Sequence, residues 1–188
     1  MRHFTEIFDI AATHQGGTDA LNAQLTKPLT HAELAAIPED RWLAQLSKNV
    51  FNAGFNWKVV EAKWTGFEAA FNGFDVAKCS MMDDEMFDAL LTNAAIIRNG
   101  TKIASVRDNA VFLLELRGQG GAGKVLGGWP SDDFIGLLDM LKARGNRLGG
   151  ATAQYAMRFI GRDAFILSGD VTARLIAEGV IDKAATSK

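Results

Sequence analysis

Cysteine is almost missing: Cys79 is the one example in 188 residues. An internal disulfide and a cysteine-based zinc cluster are both excluded, and the chain suits a reducing cytoplasm. No apolar run reaches the roughly 18 residues that a membrane-spanning helix needs. The opening segment Met1-Arg2-His3-Phe4-Thr5-Glu6 has an early acid and no apolar stretch, so it does not read as a secretory signal. An excess of either charge is also missing. Twenty Lys and Arg stand against 22 Asp and Glu, for a net charge of −2. A strongly basic, non-specific nucleic-acid binder is excluded, and any DNA contact must come from a local site. Sustained two-residue alternation of β-branched residues is absent, which argues against sheets. What remains is an ordinary globular composition, 48% hydrophobic and 22% charged, in a chain long enough to bury a core without staples.

With only three prolines, the chain reads as helices. Their expected spans are 3–13, 18–24, 31–36, 39–53, 57–63, 66–73, 83–92, 101–116, 131–143, 151–161 and 170–178, from apolar periodicity and cap signals. Thr30-His31-Ala32-Glu33 and Thr65-Gly66-Phe67-Glu68 read as capping boxes. Ser131, followed by Asp132 and Asp133, reads as another N-cap. The glycine-rich stretch Gly118–Lys124 reads as a loop. It lacks the Gly-Lys-Ser/Thr ending and the preceding strand of a P-loop. The polar tail Asp182–Lys188 is expected to fray. Many short helices with tight links predict an all-α, irregular, multi-helix, two-lobed bundle. It is read as one domain over 1–188, with a helical extension over 1–40 and a helical hairpin at about 141–161.

That hairpin is the most informative segment. In Leu141-Lys142-Ala143-Arg144-Gly145-Asn146-Arg147-Leu148-Gly149-Gly150-Ala151-Thr152-Ala153 a helix ends in basic residues and glycine, and another begins with small residues. Glycine lets backbone approach a ligand. The free N–H groups and dipole of the second helix form an anion site. From Lys142 to Arg174 the basic residues Lys142, Arg144, Arg147, Arg158, Arg162 and Arg174 face only Asp163 and Asp170, as a local phosphate grip requires. The alternative is a plain αα-hairpin with a glycine cap. Further on, Ser168-Gly169-Asp170-Val171-Thr172-Ala173-Arg174 opens another helix with an acid.

Gly149, Thr152, Ala153, Asp170, Val171, Thr172 and Arg174 resemble the spacing of the helix-hairpin-helix DNA glycosylases. A second stretch, Asn52-Ala53-Gly54-Phe55-Asn56-Trp57, is similar to the Gln-Ala-Gly-Leu-Ser-Trp segment of the DNA-3-methyladenine glycosylase I family. It is followed in order by Phe67–Asp75, Asn93-Ala94-Ala95-Ile96-Ile97-Arg98-Asn99-Gly100-Thr101-Lys102-Ile103 and Asp108-Asn109-Ala110. The similarity runs over 46–116 and more loosely over 141–176; the first 40 residues do not match. Two departures stand out. The Cys/His zinc site of that family has no counterpart, since only Cys79, His3, His14 and His31 are present. The family's acid before Ala-Gly falls on Asn49.

The resemblance implies a monofunctional glycosylase that hydrolyses the N-glycosidic bond of an alkylated base, such as 3-methyladenine, after base flipping. Its implied partner is double-stranded DNA with a damaged base. Neither a cofactor nor a metal is expected, and the protein is expected to be a monomer in the cytoplasm, active at the bacterial nucleoid. Arg147, Leu148, Gly149, Gly150, Ala151 and Thr152 are the expected backbone grip. Phe55 is the expected wedge, with ordinary packing as its alternative. The base pocket draws on Trp57, with Trp42, Phe51 and Trp129 as further candidate walls. A cationic alkylated purine gains about 0.5–2 kcal/mol on an aromatic face. Asn49, Asn52 and Asn56 are candidates for base edges, or else caps and surface groups. Trp64, Phe67, Phe71 and Phe74 lie at helical spacing and read as core. Asp170 is the implied catalytic carboxylate, its alternative being a helix cap. No lysine stands near Ala151, so Schiff-base chemistry is disfavoured. A non-catalytic helix-hairpin-helix protein that binds damaged or branched DNA is the competing reading, and an all-α interaction protein a third.

Overall fold

The computed structural model describes residues 1–184. Among them every regular element is helical, in line with the expected class. In chain order the α-helices are α1 (Phe4–His14), α2 (Thr18–Gln24), α3 (His31–Ala36), α4 (Glu39–Asn52), α5 (Trp57–Ala62), α6 (Trp64–Ala70), α7 (Val76–Ser80), α8 (Asp84–Thr92), α9 (Gly100–Leu116), α10 (Phe134–Arg144), α11 (Ala151–Phe159) and α12 (Gly169–Ala177). The chain divides into two compact units. One is Leu29–Phe165; the other joins Met1–Pro28 to the chain from Ile166 on. The fraying expected for the tail lies outside the described residues for its last four positions.

In the larger unit α4 packs on α9 and α11, and α7 packs on α9. Leu43, Leu46 and Val50 of α4 are buried with Ile103, Val106, Ala110 and Leu113 of α9. Phe51 meets Phe67 edge-on at 4.5 Å, and Trp64 stacks on Phe74 at 5.3 Å. Each aromatic pair adds about 0.5–1.5 kcal/mol beyond its buried area. Asn72, Gly73 and Phe74 all have positive φ, a costly run for the two non-glycine residues. Burial of Phe74 offsets that cost, as does Arg41, which donates to the Gly73 carbonyl at 2.7 Å. Arg41 is held in turn by both oxygens of Glu68, which also accepts from the Trp64 indole. The bond to Glu68 raises the Arg41 pKa further.

The Thr30–Glu33 capping box is formed at α3. The second expected box is not. Thr65 lies inside α6, whose N-cap Lys63 makes no side-chain capping bond, and Glu68 is engaged by Arg41. At α10 the cap is Asp133, not Ser131, because a 3₁₀ turn over Ser131–Asp133 precedes the helix. Helix α7 falls in a gap of the expected spans; Asp75 caps it. The glycine-rich stretch is not a simple loop. A 3₁₀ turn covers Arg117–Gln119 and a π-helical turn covers Gly123–Gly127. A Cβ on Gly123 would lie 2.7 Å from the Ala35 carbonyl, so the glycine serves close packing on α3. Arg162, expected on a basic surface, is buried. It donates to the carbonyls of Leu126, Gly127 and Trp129, and thus pins this turn.

Candidate active site

Within the larger unit, α4, α5 and α11 enclose an open cleft of about 890 Å³. Helix α4 contributes Gln45, Lys48, Asn49 and Asn52, residues three, four and seven apart and therefore on one face. Trp57 and Glu61 come from α5, one turn apart, with Gly54 and Phe55 from the preceding turn. Ala151, Thr152, Tyr155 and Phe159 come from α11. Trp57 is 62% exposed and Phe55 45% exposed. Large apolar rings left in water at one cleft mark a binding surface. The Gln45 amide donates to Asn49 Oδ1 at 2.5 Å. Asn52 Oδ1 is shielded from solvent and has no hydrogen-bond partner among the described residues, so it is an acceptor ready for a ligand N–H.

Glu61 supplies the carboxylate of the cleft lining. Lys48 holds its Oε2 at 2.6 Å and lies 4.8 Å from the centre of the Trp64 ring. The turn bearing Phe55 is fixed from beneath. Lys102 Nζ donates to the Phe51 carbonyl at 3.1 Å and the Ala53 carbonyl at 2.6 Å, and lies 4.5 Å from the Phe55 ring centre. Burial pulls the Lys102 pKa down, and Arg147 adds to this.

The expected hairpin is α10, the turn 145–150 and α11. Asn109 of α9 clamps the turn, donating to the Asn146 carbonyl at 3.1 Å and accepting from its N–H at 2.7 Å. Asn146 donates further to Asp108 at 2.6 Å. Gly150, at φ 56 and ψ −136, starts α11 without a side-chain cap, in backbone space that only glycine occupies at low cost. Arg147, Gly149 and Thr152 line a second hollow of about 320 Å³ with Val50 and Ala53. Leu148 is fully buried, backbone included, so it offers no exposed surface to a ligand. Arg144 is tied to Glu115 at 3.0 Å and lies over Phe112.

The fold brings Asn49, Asn52, Phe55, Trp57, Ala151 and Thr152 together at one cleft, from segments a hundred residues apart in sequence. Trp42 and Phe51 are corrections: both are fully buried in the core and line no part of the cleft. They lie on opposite sides of α4, Trp42 towards Gly127 and Phe51 against Phe67 of α6. Trp129 is spent on Asp133, and Asn56 caps α5. Gln45, Lys48, Glu61, Tyr155 and Phe159 escaped the sequence reading. Helical spacing from Asn49, Trp57 and Ala151 would have found them. Asp170 belongs to the smaller unit, exposed in the first turn of α12; the cap of that helix is Ser168, which accepts from Val171 N–H.

The donor set does not suit a zinc ion. Cys79 is buried, bonded to the Phe71 carbonyl, and its thiol pKa is pushed up to about 12 by burial and by Asp75. Among the described residues no three His, Cys, Asp or Glu side chains gather. No helix there is long and apolar enough to cross a membrane.

Residues 36–125 match the Methyladenine glycosylase family model. DNA-3-methyladenine glycosylase 1 of Escherichia coli (strain K12) is 34% identical over 68 residues, which is 36% of this chain and 36% of that protein. The match therefore spans little more than a third of that curated relative. A solved 3-methyladenine DNA glycosylase I in complex with 3-methyladenine superposes with a TM-score of 0.62 at 21% identity, over 84% of this chain and 94% of its own. The Staphylococcus aureus 3-methyladenine DNA glycosylase I has a TM-score of 0.61 at 22% identity, over 76% and 84%. The chain has the all-α fold of these methyladenine glycosylases, and the stretch 46–116 that resembles the family lies within the matched region.

Proposed function

We propose that this protein is a monofunctional DNA glycosylase that releases alkylated bases of the 3-methyladenine type from duplex DNA. The observation that carries this reading is the single cleft joining exposed Trp57 and Phe55 to the hairpin helix α11. A base inside a duplex is out of reach, so the nucleotide must flip out at a cost of a few kcal/mol. Phe55 fills the gap left behind. The flipped base lies on Trp57, where a cationic purine gains about 0.5–2 kcal/mol. Asn52 Oδ1, shielded from solvent and unpartnered among the described residues, accepts from a base N–H. The backbone N–H groups of Gly149, Gly150, Ala151 and Thr152, with Arg147, grip phosphate.

Asp170 is the carboxylate we assign to the sugar, where it stabilises positive charge as the base departs and assists the attacking water. Thr152 and Ala151 leave no amine at the hairpin helix, and Lys48 is engaged by Glu61. Hydrolysis, with an abasic product, is thus favoured over Schiff-base lysis. On this reading the protein works as a monomer at the bacterial nucleoid.

The test is base release from methylated duplex DNA by the purified protein. Free 3-methyladenine is the expected product, and Trp57→Ala is expected to lower its release about 10-fold or more. Asn49, in place of the family acid, favours a second reading: a helix-hairpin-helix protein that binds damaged DNA without cutting. Salt-dependent binding with no base released would establish that reading instead.

A further inference from the structure

We infer that Lys102 is a positioning residue that holds Phe55 in its wedge pose before DNA is met; the inference rests on the glycosylase reading. Lys102 is 4% exposed and has no carboxylate partner among the described residues. Its charge is instead met by two carbonyls, those of Phe51 and Ala53. These lie at the C-terminus of α4, where unsatisfied carbonyls and the negative end of the dipole collect. An ammonium has three N–H groups. Two are used on the carbonyls, and the Phe55 ring, centred 4.5 Å away, is the partner left for the third. Removal from water strengthens such a contact.

The rest of the turn does little to fix the ring. Gly54 has φ 74 with open space around it. The backbone bond from Phe55 N–H to the Asn52 carbonyl, at 3.0 Å, sets the main chain but not the side chain. Phe55 therefore stands half in water and is held at its face by a charge rooted in α9. That root is firm: Asn99 caps α9 on the Lys102 N–H, and Ile103 is buried beside it. A ring ordered in advance enters the duplex gap without first losing rotamer freedom. Excision from a duplex needs the wedge, whereas a base in a single strand is already unstacked. Lys102 thus matters in proportion to the need for flipping.

The experiment measures single-turnover excision of the same alkylated base from duplex and from single-stranded DNA by the whole protein. Lys102→Met is expected to lower the duplex-to-single-strand rate ratio about 10-fold. Phe55→Ala should lower the ratio to a similar extent, and the double variant should fall no further than Phe55→Ala alone. Lys102→Arg, which keeps the charge, should restore most of the ratio, and Lys102→Gln, which removes the charge but keeps a polar donor, carries the same cycle if Lys102→Met does not fold. Equal losses on both substrates, or a double variant that falls by the product of the single losses, would overturn the inference. If the parent protein releases no base from either substrate, the glycosylase reading fails on its own. The coupling is then read from 2-aminopurine fluorescence beside an abasic analogue in bound duplex, and independence of Lys102 and Phe55 there would overturn the inference.

Discussion

In the unit Leu29–Phe165, Trp42, Phe51, Phe67, Phe71 and Phe74 are sealed from water, while in the unit of Met1–Pro28 and the chain from Ile166 on, Ala12 is the one buried hydrophobic residue among those described. Helix α12 buries none of its residues. Its fixed point is Glu178, which accepts from the Arg2 backbone N–H at 2.9 Å and pairs with Arg174 at 2.7 Å. Charge pairs of this kind contribute little net, because removal of both groups from water offsets their attraction. Each buried aromatic in the larger unit contributes several times more. The candidate cleft is therefore built on a stiff frame, whereas Asp170 is carried by a unit that opens at lower free energy.

The largest expected break in this contrast is Phe67→Ala. Phe67 is fully buried between Phe51 and Trp64, so a cavity there should cost about 3–5 kcal/mol. Denaturant unfolding followed by helical circular dichroism checks it, and a loss below about 1 kcal/mol would contradict the burial argument. Next comes Asp170→Asn, which should lower base excision about 10²-fold while leaving the melting temperature unchanged. Stability is spared because Asp170 is exposed and Ser168 provides the cap. Equal single-turnover rates for variant and parent would remove Asp170 from the mechanism.

The smallest effect is a pH dependence that sharpens the comparison. Glu178 has its pKa lowered from 4.5, first by the Arg2 backbone N–H, and Glu33 has its own lowered by the Thr30 backbone N–H. A depressed folded-state pKa contributes stability that is present above the unfolded value and lost as pH falls through the folded one. Below about pH 4.5, amide exchange should quicken in α12 before α3, because Leu34 anchors α3 by burial and nothing comparable anchors α12. Glu178→Gln should abolish the acid response of α12. Exchange that quickens equally in both helices would show that burial does not decide the order.

Much of the fold was legible because helix formation is local. The periodic stretches of α4, α9 and α11 and the Thr30–Glu33 box appear where short-range rules put them. Helix α7 was missed because a five-residue helix carries too little periodicity to register. The expected box at Thr65 failed because Glu68 is drawn to Arg41, a partner 27 residues away in sequence. Of the candidate cleft, Asn49, Asn52, Phe55 and Trp57 were singled out by resemblance to the family's sequence blocks and the hairpin by its basic, glycine-bearing turn, and the fold brings these four residues and the start of α11 to one cleft. Trp42 and Phe51 were misplaced because neighbours in sequence on a helix point to different faces.

The sequence by itself determined that the chain is all-helical, that a glycine hairpin precedes an acid-headed helix, and that an aromatic turn follows α4. Those features are set by backbone propensities, caps and apolar period, which act over a few residues. The tertiary structure alone decided which stripe of α4 lines the cleft and which is sealed against α9. It also placed Lys102 beneath Phe55, set Glu61 against Lys48, and locked the hairpin turn to Asn109. Each of these depends on groups brought together by packing of distant segments, and the strength of a charge or polar contact is set by the burial that packing creates.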